Sequence, residues 1–418
     1  MRRLPSGTRT SPRAPIEALN ALGPALRALG KFPKVSDTRR FEKLVAPDAK
    51  CALDDWADEA RLVRLQSYDD EAGLSLFGAL AVRAQTLRCY KNALGFRRVF
   101  EGNPQIAEEK IERPLFVLGW PRTGTTLMHR LLTLHRRARS MPVWEGYCPL
   151  PYENGKPLTQ SQRYAKAKRA MAVMNWVAPD LAAIHSMGVD DPEECFHLFR
   201  NYSAMPPGFD FAYLPSYWAW YAKQDPANAY RLHKRQLQVL QSFDRRGHWV
   251  LKAPQHMAGL PGLLKVYPDA RIVFMHRDPV EAVASYCSLL AVTWGMSSDD
   301  VDLGTIAGYV LANARQSQQL ARKALTTVAA EQIAHVSYSD MVRDPVAVAS
   351  GLYDRLGYPH DDGLRASMRA WFAHNPKDGH GRHAYALSDF GLTEAAVRAA
   401  LEPEEAGFGA LKGRAAGI

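Results

Sequence analysis

Three basic residues of this 418-residue chain each follow a short apolar stretch, where the end of a strand can present a cation to a phosphate. The first is Arg122, in the segment PLFVLGWPRTGTTLMHRLLTLH at 114–135. An apolar strand at Leu115–Leu118 runs into a glycine-containing turn, and a helix begins near Thr125. Backbone N–H groups at a helix N-terminus, together with the positive end of the helix dipole, hold anions. The segment therefore predicts a phosphate-cradling loop.

The composition of this loop differs from that of ATP- and GTP-binding loops. Gly119 and Gly124 have the spacing of that motif, but Thr125 stands where the motif needs a lysine. That lysine and a Mg²⁺ ion serve a highly charged triphosphate. A loop with Arg122 and threonine hydroxyls better suits a less charged group, such as a phosphosulfate transferred without a metal. For the loop alone, a strand–turn–helix without a ligand is the alternative.

The second cation is Arg277, in the segment ARIVFMHRDPVEAVASYCSLL at 270–290. An apolar strand at 272–275 precedes it, and the DPVE sequence that follows is typical of a helix start, with Glu281 completing a capping box. Ser285 lies two turns along that helix. Arginine can contact a phosphate through two N–H groups, and serine adds a hydroxyl donor. The pair is a candidate for a second phosphate site.

The third cation is Lys252, which ends an apolar strand in the sequence HWVLKAP. A lysine that simply ends a strand is the alternative. All three cations fall at or just past the C-terminal ends of expected parallel strands, and such sheets bind their ligands there. We therefore expect Arg122, Lys252 and Arg277 to share one cleft.

The hexapeptide PRTGTT at 121–126 resembles the 5′-phosphosulfate loop of sulfotransferases, which use 3′-phosphoadenosine 5′-phosphosulfate (PAPS). The tyrosylprotein and bacterial branches are most similar, and the tyrosylprotein branch also has the Lys-x-Pro found here at 252–254. The resemblance covers roughly residues 110–395. It implies that Arg277 and Ser285 bind the 3′-phosphate and that Lys252 neutralises charge on the bridging oxygen. The loop residues that it assigns to the donor are Arg122, Thr123, Gly124, Thr125 and Thr126.

Sulfuryl transfer to an alcohol needs a general base for the hydroxyl proton. In the tyrosylprotein branch a glutamate provides it, and Glu145 stands about where that glutamate should be, after an expected strand at 141–144. His256, close to Lys252 in sequence, is the alternative. The histidine that cytosolic sulfotransferases carry two residues after the strand-end lysine is replaced here by Pro254.

An acidic cluster at 190–194 precedes the sequence Cys-Phe-His. Bacterial relatives show a similar DPEE segment near the acceptor site, which makes Glu194 a candidate residue on the substrate side. The alternative is a helix that Asp191 caps, with Pro192 at its first position and Glu193 and Glu194 in its first turn.

Two segments near the C-terminus are implied by the resemblance to contact the nucleotide. The sequence HVSYSDMVRDP at 335–345 would place Tyr338 near the adenine. The segment 375–392 is rich in glycine and cations and resembles the flexible loop that folds over the nucleotide, with Lys377 and Arg382 as its candidates. A plain basic loop is the alternative there.

Strand and helix patterns alternate along most of the chain, which predicts an α/β fold: a P-loop-like parallel β-sheet flanked by helices, with helical insertions. The expected parts are a flexible basic tail at 1–14, a helical region at 15–105 packed on the core, the sulfotransferase α/β domain at 106–395 and a C-terminal tail at 396–418. The aromatic segment 202–221 is expected either to wall an acceptor pocket or to be ordinary packing.

The composition limits the class of protein. The net charge is +10, but the basic residues are spread along the chain, so an anionic nucleotide explains them better than nucleic acid or a membrane. No apolar run is long enough for a membrane-spanning helix. The five cysteines lack metal-binding spacing, which favours reduced thiols in the cytoplasm and no metal site. The oligomeric state stays open, with a homodimer as one alternative.

The sequence thus predicts a cytoplasmic PAPS-dependent sulfotransferase. Its acceptor would be a hydroxyl of a small-molecule or lipid-like compound, and its second product would be adenosine 3′,5′-bisphosphate. Two alternatives stay open. One is a kinase-like enzyme that uses ATP and Mg²⁺, and the other is a non-catalytic protein that binds a nucleotide or another polyanion.

Overall fold

The computed structural model describes residues 14–37, 54–153, 156–179, 181, 187–298, 300–375 and 386–401. Five parallel strands form its central sheet: β1 Leu115–Leu118, β2 Ala138–Arg139, β3 His248–Lys252, β4 Arg271–His276 and β5 Ile333–Ser337. Their order across the sheet is β2-β3-β1-β4-β5, so β1 lies in the middle. A separate two-stranded hairpin pairs Tyr152–Glu153 with Lys156–Pro157.

Side chains of the central strand alternate between the two faces of the sheet, and each face has its own apolar core. Phe116 and Leu118 pack in one cluster, whereas Leu115 and Val117 pack in another. Because helices cover both faces, all four residues of β1 are buried. This double burial explains why the strand is apolar at every position rather than at alternate positions.

Helices surround this sheet and also form the region before it. They are α1 Ala14–Asn20, α2 Gly23–Ala28, α3 Asp55–Glu71, α4 Leu76–Gly102, α5 Thr125–Thr133, α6 Val143–Tyr147, α7 Gln160–Val177, α8 Phe196–Asn201, α9 Pro215–Tyr221, α10 Ala227–Phe243, α11 His256–Val266, α12 Pro279–Gly295, α13 Leu303–Leu325, α14 Tyr338–Arg343, α15 Pro345–Arg355 and α16 Gly363–His374. Short 3₁₀ turns occur at Pro104–Glu108, Ala330–Gln332 and Leu387–Phe390, and 394–401 is helical.

The predicted α/β fold with a parallel sheet is confirmed, but three local predictions are wrong. The strand expected at 141–144 is absent, because the chain turns into α6 and the amides of Glu145 and Gly146 bond to the Pro142 carbonyl at 2.9 and 3.0 Å. The alternative for the acidic cluster, a helix capped by Asp191 and beginning at Pro192, is also wrong, because the helix begins at Phe196. The capping box at the start of α12 is also not formed. Asp278 caps the helix by accepting from the Val280 amide at 2.8 Å, while the Glu281 carboxylate turns back to Arg277.

The described helices at 14–28 and 55–102 agree with a helical region before the sheet. Residues 1–13 and 402–418, which make up most of the two expected tails, lie outside the described residues. The division of the chain into parts at 105 and 395 stays a prediction.

Candidate active site

The loop between β1 and α5 holds two residues in the left-handed region of backbone conformation, Arg122 at φ 70° and Gly124 at φ 91°. A Cβ atom at Gly124 would lie 2.6 Å from Met341 and 2.9 Å from Tyr338, so only glycine fits there. The Thr123 hydroxyl donates to the Trp120 carbonyl at 2.8 Å and closes the turn. Because no side chain caps α5, its first N–H groups are available to an anion.

Two arginines converge beside this loop. The Arg122 Nε donates to the hydroxyl of Ser285 in α12 at 2.9 Å. Arg277, directly after β4, donates through Nη1 to the Arg122 carbonyl at 2.8 Å, and its guanidinium lies 4.1 Å from the ring centre of Tyr338. Four predicted site residues from three separate segments are thus brought together. Arg277 also donates to the exposed Glu281 carboxylate at 2.9 and 2.7 Å, which holds the guanidinium in place.

Lys252, at the end of β3, connects the loop to the acidic cluster. The residue is only 4% exposed. The ammonium donates to the hydroxyl of Thr126, the second residue of α5, at 3.1 Å, and it forms an ion pair with the Glu194 carboxylate. In the main chain, the Lys252 carbonyl accepts from the Cys195 amide at 2.9 Å. Side-chain and main-chain bonds therefore join the segment 193–195 to the edge of the sheet.

Glu193, the neighbour of Glu194, was not singled out from the sequence. Its carboxylate is buried; Oε1 accepts from the Glu194 amide at 2.7 Å, and Oε2 has no hydrogen-bond partner among the described residues. Burial, together with the charge of Glu194, raises its pKa from the ordinary 4.5 to about 7. The acidic DPEE sequence was visible, but which of its acids would be buried depends on the tertiary fold.

Glu145, the first candidate for the base, lies in the first turn of α6 and is not among the residues lining the cavity described below. Its carboxylate accepts two bonds from the Arg139 guanidinium, at 2.9 and 2.8 Å, and both side chains are buried. Burial raises the pKa of Glu145, and the charge of Arg139 opposes that rise. This arrangement is a structural ion pair, and the geometry gives no support to Glu145 as the base.

His256 lies at the start of α11 and is fully buried. Its Nδ1 is 2.9 Å from the Tyr230 hydroxyl, and its ring packs edge-on against Phe116 at 5.0 Å between centres. Burial lowers its pKa well below 6.5. His256 is also absent from the lining of the cavity, so the geometry does not support it as a base either.

One cavity of about 370 Å³ lies over this edge of the sheet. Its phosphate side is formed by Arg122, Gly124, Thr125, Thr126, Lys252 and Arg277, with Tyr338 beside them. Its apolar chamber is formed mainly by Ala167, Met171, Met174, Phe196, Phe209 and Phe211. Glu193 and Glu194 also line the cavity. A single space therefore joins a cationic loop, two carboxylates and an apolar wall.

The aromatic segment 202–221 is divided between the wall of the cavity and the apolar core, and its role in an acceptor pocket stays a prediction. Phe209 and Phe211 line the cavity, whereas Tyr217 and Tyr221 are buried in the apolar core. Lys377 and Arg382 lie outside the described residues, so their roles stay predictions. In the described ranges, no group of three or more His, Cys, Asp or Glu residues could hold a metal ion. Among the same residues, no helix has the length and apolar character needed to span a bilayer.

The loop between a central strand and a helix, with cations at neighbouring strand ends, defines an α/β protein whose sheet has a site suited to a phosphate-containing anion at its C-terminal edge. Residues 114–362, more than half of the chain, match the model of the sulfotransferase family. The chain therefore belongs to the sulfotransferase family, as PRTGTT predicted, and is a transferase.

Two solved structures share the fold of this chain. Sulfotransferase STF1 from Mycobacterium tuberculosis has a TM-score of 0.72 and 28% identity, covering 87% of this chain and 96% of that chain. Sulfotransferase STF9 from Mycobacterium avium has a TM-score of 0.76 and 28% identity, covering 87% and 94%. The omega-hydroxy-beta-dihydromenaquinone-9 sulfotransferase Stf3 of Mycobacterium tuberculosis is 25% identical over 297 residues, which are 66% of this chain and 71% of that protein.

Proposed function

We propose that this protein transfers a sulfuryl group from PAPS to a hydroxyl of a small, lipid-like acceptor. The observation that carries the proposal is the shared cavity, in which the phosphate side and the apolar chamber are joined through Lys252 and Glu194. A donor with two phosphate groups and an acceptor with an apolar body would each meet a wall of matching chemistry.

The residues of the phosphate side fit PAPS. The first N–H groups of α5, the Thr125 and Thr126 hydroxyls and Arg122 would hold the 5′-phosphosulfate. Arg277 and Ser285 would hold the 3′-phosphate, and the contact of Arg122 with Ser285 makes the two phosphate sites adjacent. When bound, PAPS supplies an electrophilic sulfur and a bisphosphate leaving group.

Lys252 and Glu194 are proposed to serve the chemical step. The Lys252 ammonium lies beside the phosphate loop through Thr126, where it can neutralise charge that develops on the bridging oxygen. The Glu194 carboxylate contacts that ammonium and lines the cavity. We assign to Glu194 the role of general base, which takes the hydroxyl proton as the acceptor oxygen attacks sulfur. Glu193, with its pKa near neutrality, is the second candidate.

The apolar chamber supports a lipid-like acceptor. Its methionine side chains are flexible and adapt to the shape of a long apolar chain. Stf3, by its name, acts on the hydroxyl of a dihydromenaquinone, which is a lipid. A cytoplasmic location remains part of this proposal, supported by the described cysteines Cys89, Cys148, Cys195 and Cys287, which are free thiols.

Thermal stabilisation and turnover together test the proposal. Adenosine 3′,5′-bisphosphate should raise the melting temperature more than ATP with Mg²⁺, because a ligand that binds only the folded state stabilises it. Stabilisation by ATP that depends on Mg²⁺ would instead favour the kinase-like alternative. Sulfur-labelled PAPS should then label members of a panel of primary and phenolic alcohols. Tight binding of the bisphosphate without labelling of any alcohol would favour the non-catalytic alternative.

A further inference from the structure

Arg200, in α8, is a buried cation in the wall of the cavity. It is 5% exposed, lines the cavity, and lies over the rings of Phe196 and Phe211, at 4.3 and 4.5 Å from their centres. Across the described ranges, no carboxylate pairs with it, and its buried Nε has no hydrogen-bond partner. A guanidinium has five N–H donors, and here aromatic faces are its principal neighbours.

The carboxylate of Asp210 is engaged elsewhere. It accepts two bonds of 2.8 Å from Arg64 and one of 3.1 Å from the Tyr68 hydroxyl. Arg64 is as deeply buried as Arg200, at 4% exposure, but it has a bidentate carboxylate partner. The protein thus contains two buried arginines near one acid, and only one of them is neutralised by it.

Burial of an unpaired charge costs free energy, and Arg200 does not escape that cost by losing its proton. Burial lowers its pKa only to about 10, so the side chain stays charged at neutral pH. A charge of this kind that lines a ligand cavity, rather than the solid core, is a candidate for pairing with a group on the ligand.

A second cation stands in the same wall. Arg88 lines the cavity, donates to the Tyr147 carbonyl at 3.1 Å, and lies 4.2 Å from the centre of the Tyr147 ring. Burial and the charges of Arg88 and Arg200 lower the pKa of His197 well below 6.5, so that histidine is neutral. The net charge of this wall is therefore positive. The acid Glu194, by contrast, is paired with Lys252 on the phosphate side.

We propose that the natural acceptor carries a carboxylate away from its reacting hydroxyl, and that Arg200, assisted by Arg88, binds that carboxylate in the apolar chamber. The inference rests on the proposed sulfotransferase function and names its acceptor class. A planar carboxylate matches the paired N–H donors of a guanidinium. The methionines of α7 would contact the apolar chain between the two ends. Hydroxy fatty acids and related amphiphiles have this chemistry.

A ligand series on the wild-type protein tests the inference without any mutation. The probes are ω-hydroxy carboxylic acids of increasing chain length, their methyl esters, and primary alcohols of the same length, all with PAPS as donor. The KM of the best acid should lie roughly 10- to 100-fold below that of its ester and alcohol, which is the effect of one charge-assisted contact. Equal KM values for the three would overturn the inference and leave the sulfotransferase function standing.

Variants of the two buried arginines separate a binding role from a structural one. Arg200→Met should raise the KM of the hydroxy acid much more than that of the alcohol, so that the preference for the acid over the alcohol is lost. Its melting temperature without ligand should not fall, because the change removes an unpaired buried charge. Arg64→Met should instead lower the melting temperature, because it removes the bidentate cationic partner of the buried Asp210 carboxylate. Equal loss of activity with acid and alcohol in Arg200→Met would contradict the inference.

A binding measurement covers the case in which no probe is sulfated, which would count against the proposed function. A fatty acid that lacks the hydroxyl should raise the melting temperature of the wild type, and its methyl ester should not. Arg200→Lys should keep part of this shift and Arg200→Met should lose it. If Arg200→Met fails to fold, the comparison of wild type with Arg200→Lys decides. A shift that is the same for acid and ester would refute the role of Arg200.

Discussion

The cations in the two walls of the cavity differ in whether an acidic side chain pairs with them. On the phosphate side, Arg277 is held by Glu281 and Lys252 by Glu194. In the apolar chamber, Arg200 lies among aromatic rings without a described acidic partner, although it is more deeply buried than Arg277. A site whose side chains are already held in position suits a donor that is the same in every catalytic cycle. The charge of Arg200 in the apolar chamber has no described acidic partner. The strength of acceptor binding should therefore depend on whether the acceptor carries a carboxylate.

The largest expected effect is a loss of kcat on substitution of Glu194, whose carboxylate lies between the phosphate side and the apolar chamber. Glu194→Gln should lower kcat by roughly 10²- to 10⁴-fold, because it removes the proposed proton acceptor while nearly preserving shape. Affinity for adenosine 3′,5′-bisphosphate should change little. Rates from single-turnover kinetics with PAPS would measure the loss. A kcat within about threefold of the wild type, with Glu193→Gln inactive instead, would move the role of base to Glu193.

Glu145 provides the contrasting case of an acid outside the cavity. Glu145→Ala leaves the buried Arg139 without its principal partner, so the free energy of unfolding should fall by about 3 kcal/mol. Arg139 retains a contact of 3.3 Å to the half-exposed Asp244, a hydrogen bond to the Ser140 carbonyl and its position over the Trp249 ring, but no buried carboxylate among the described residues. Chemical denaturation would give the change in stability, and kcat per folded molecule should stay near the wild-type value. A large loss of kcat without a loss of stability would restore Glu145 as the base.

Glu193, which lines the cavity, should make the free energy of unfolding depend on pH. Its pKa is raised in the folded protein, so its contribution to stability is complete below pH 4.5 and is lost as the pH rises through about 7. Glu193→Gln cannot ionise and should escape that loss. The stability of the variant relative to the wild type should therefore increase from acid to neutral pH, by on the order of 3 kcal/mol in all. Urea unfolding at several pH values would measure it, and parallel curves would contradict the assignment.

The smallest expected effect is a selective one on the phosphate side. Arg277→Met should weaken binding of adenosine 3′,5′-bisphosphate by roughly 10- to 100-fold and leave adenosine 5′-monophosphate nearly unaffected. Glu281→Gln is the matched control, because it removes the exposed partner of Arg277 and keeps the cation. Calorimetric titration of both nucleotides into both variants would provide the comparison. If Arg277→Met weakens the binding of both nucleotides equally, the arginine does not contact the 3′-phosphate.

The phosphate side could be predicted from the sequence because each of its parts is local. A buried parallel strand is apolar throughout, and the residue that ends it is adjacent in sequence, so the positions of Lys252 and Arg277 follow from short stretches. Gly124 of the loop is local in the same sense, because its left-handed backbone conformation requires a glycine at that one position. The parallel order of the strands then brings these ends together.

The apolar chamber could not be predicted in the same way. The run at 141–144 is too short for periodicity to separate a strand from a helix, and the expected place of Glu145 depended on that choice. The burial of Arg200 depends on Phe196 beside it in α8 and on Phe211 from the following segment. Whether Arg64 or Arg200 pairs with Asp210 depends on the position of α3, which carries Arg64 and is distant in sequence. Such pairings follow from tertiary packing, and sequence patterns do not contain them.

The main-chain bond from the Cys195 amide to the Lys252 carbonyl has a consequence for engineering. It ties the acidic segment to the sheet edge through backbone atoms, which substitutions of side chains leave in place. The lining of α7, at Ala167, Met171 and Met174, does not take part in that tie. Libraries restricted to those three positions should therefore change which alcohols are accepted while retaining the spacing between Glu194, the proposed base, and the phosphate loop. This helix is the place to begin redesigning selectivity.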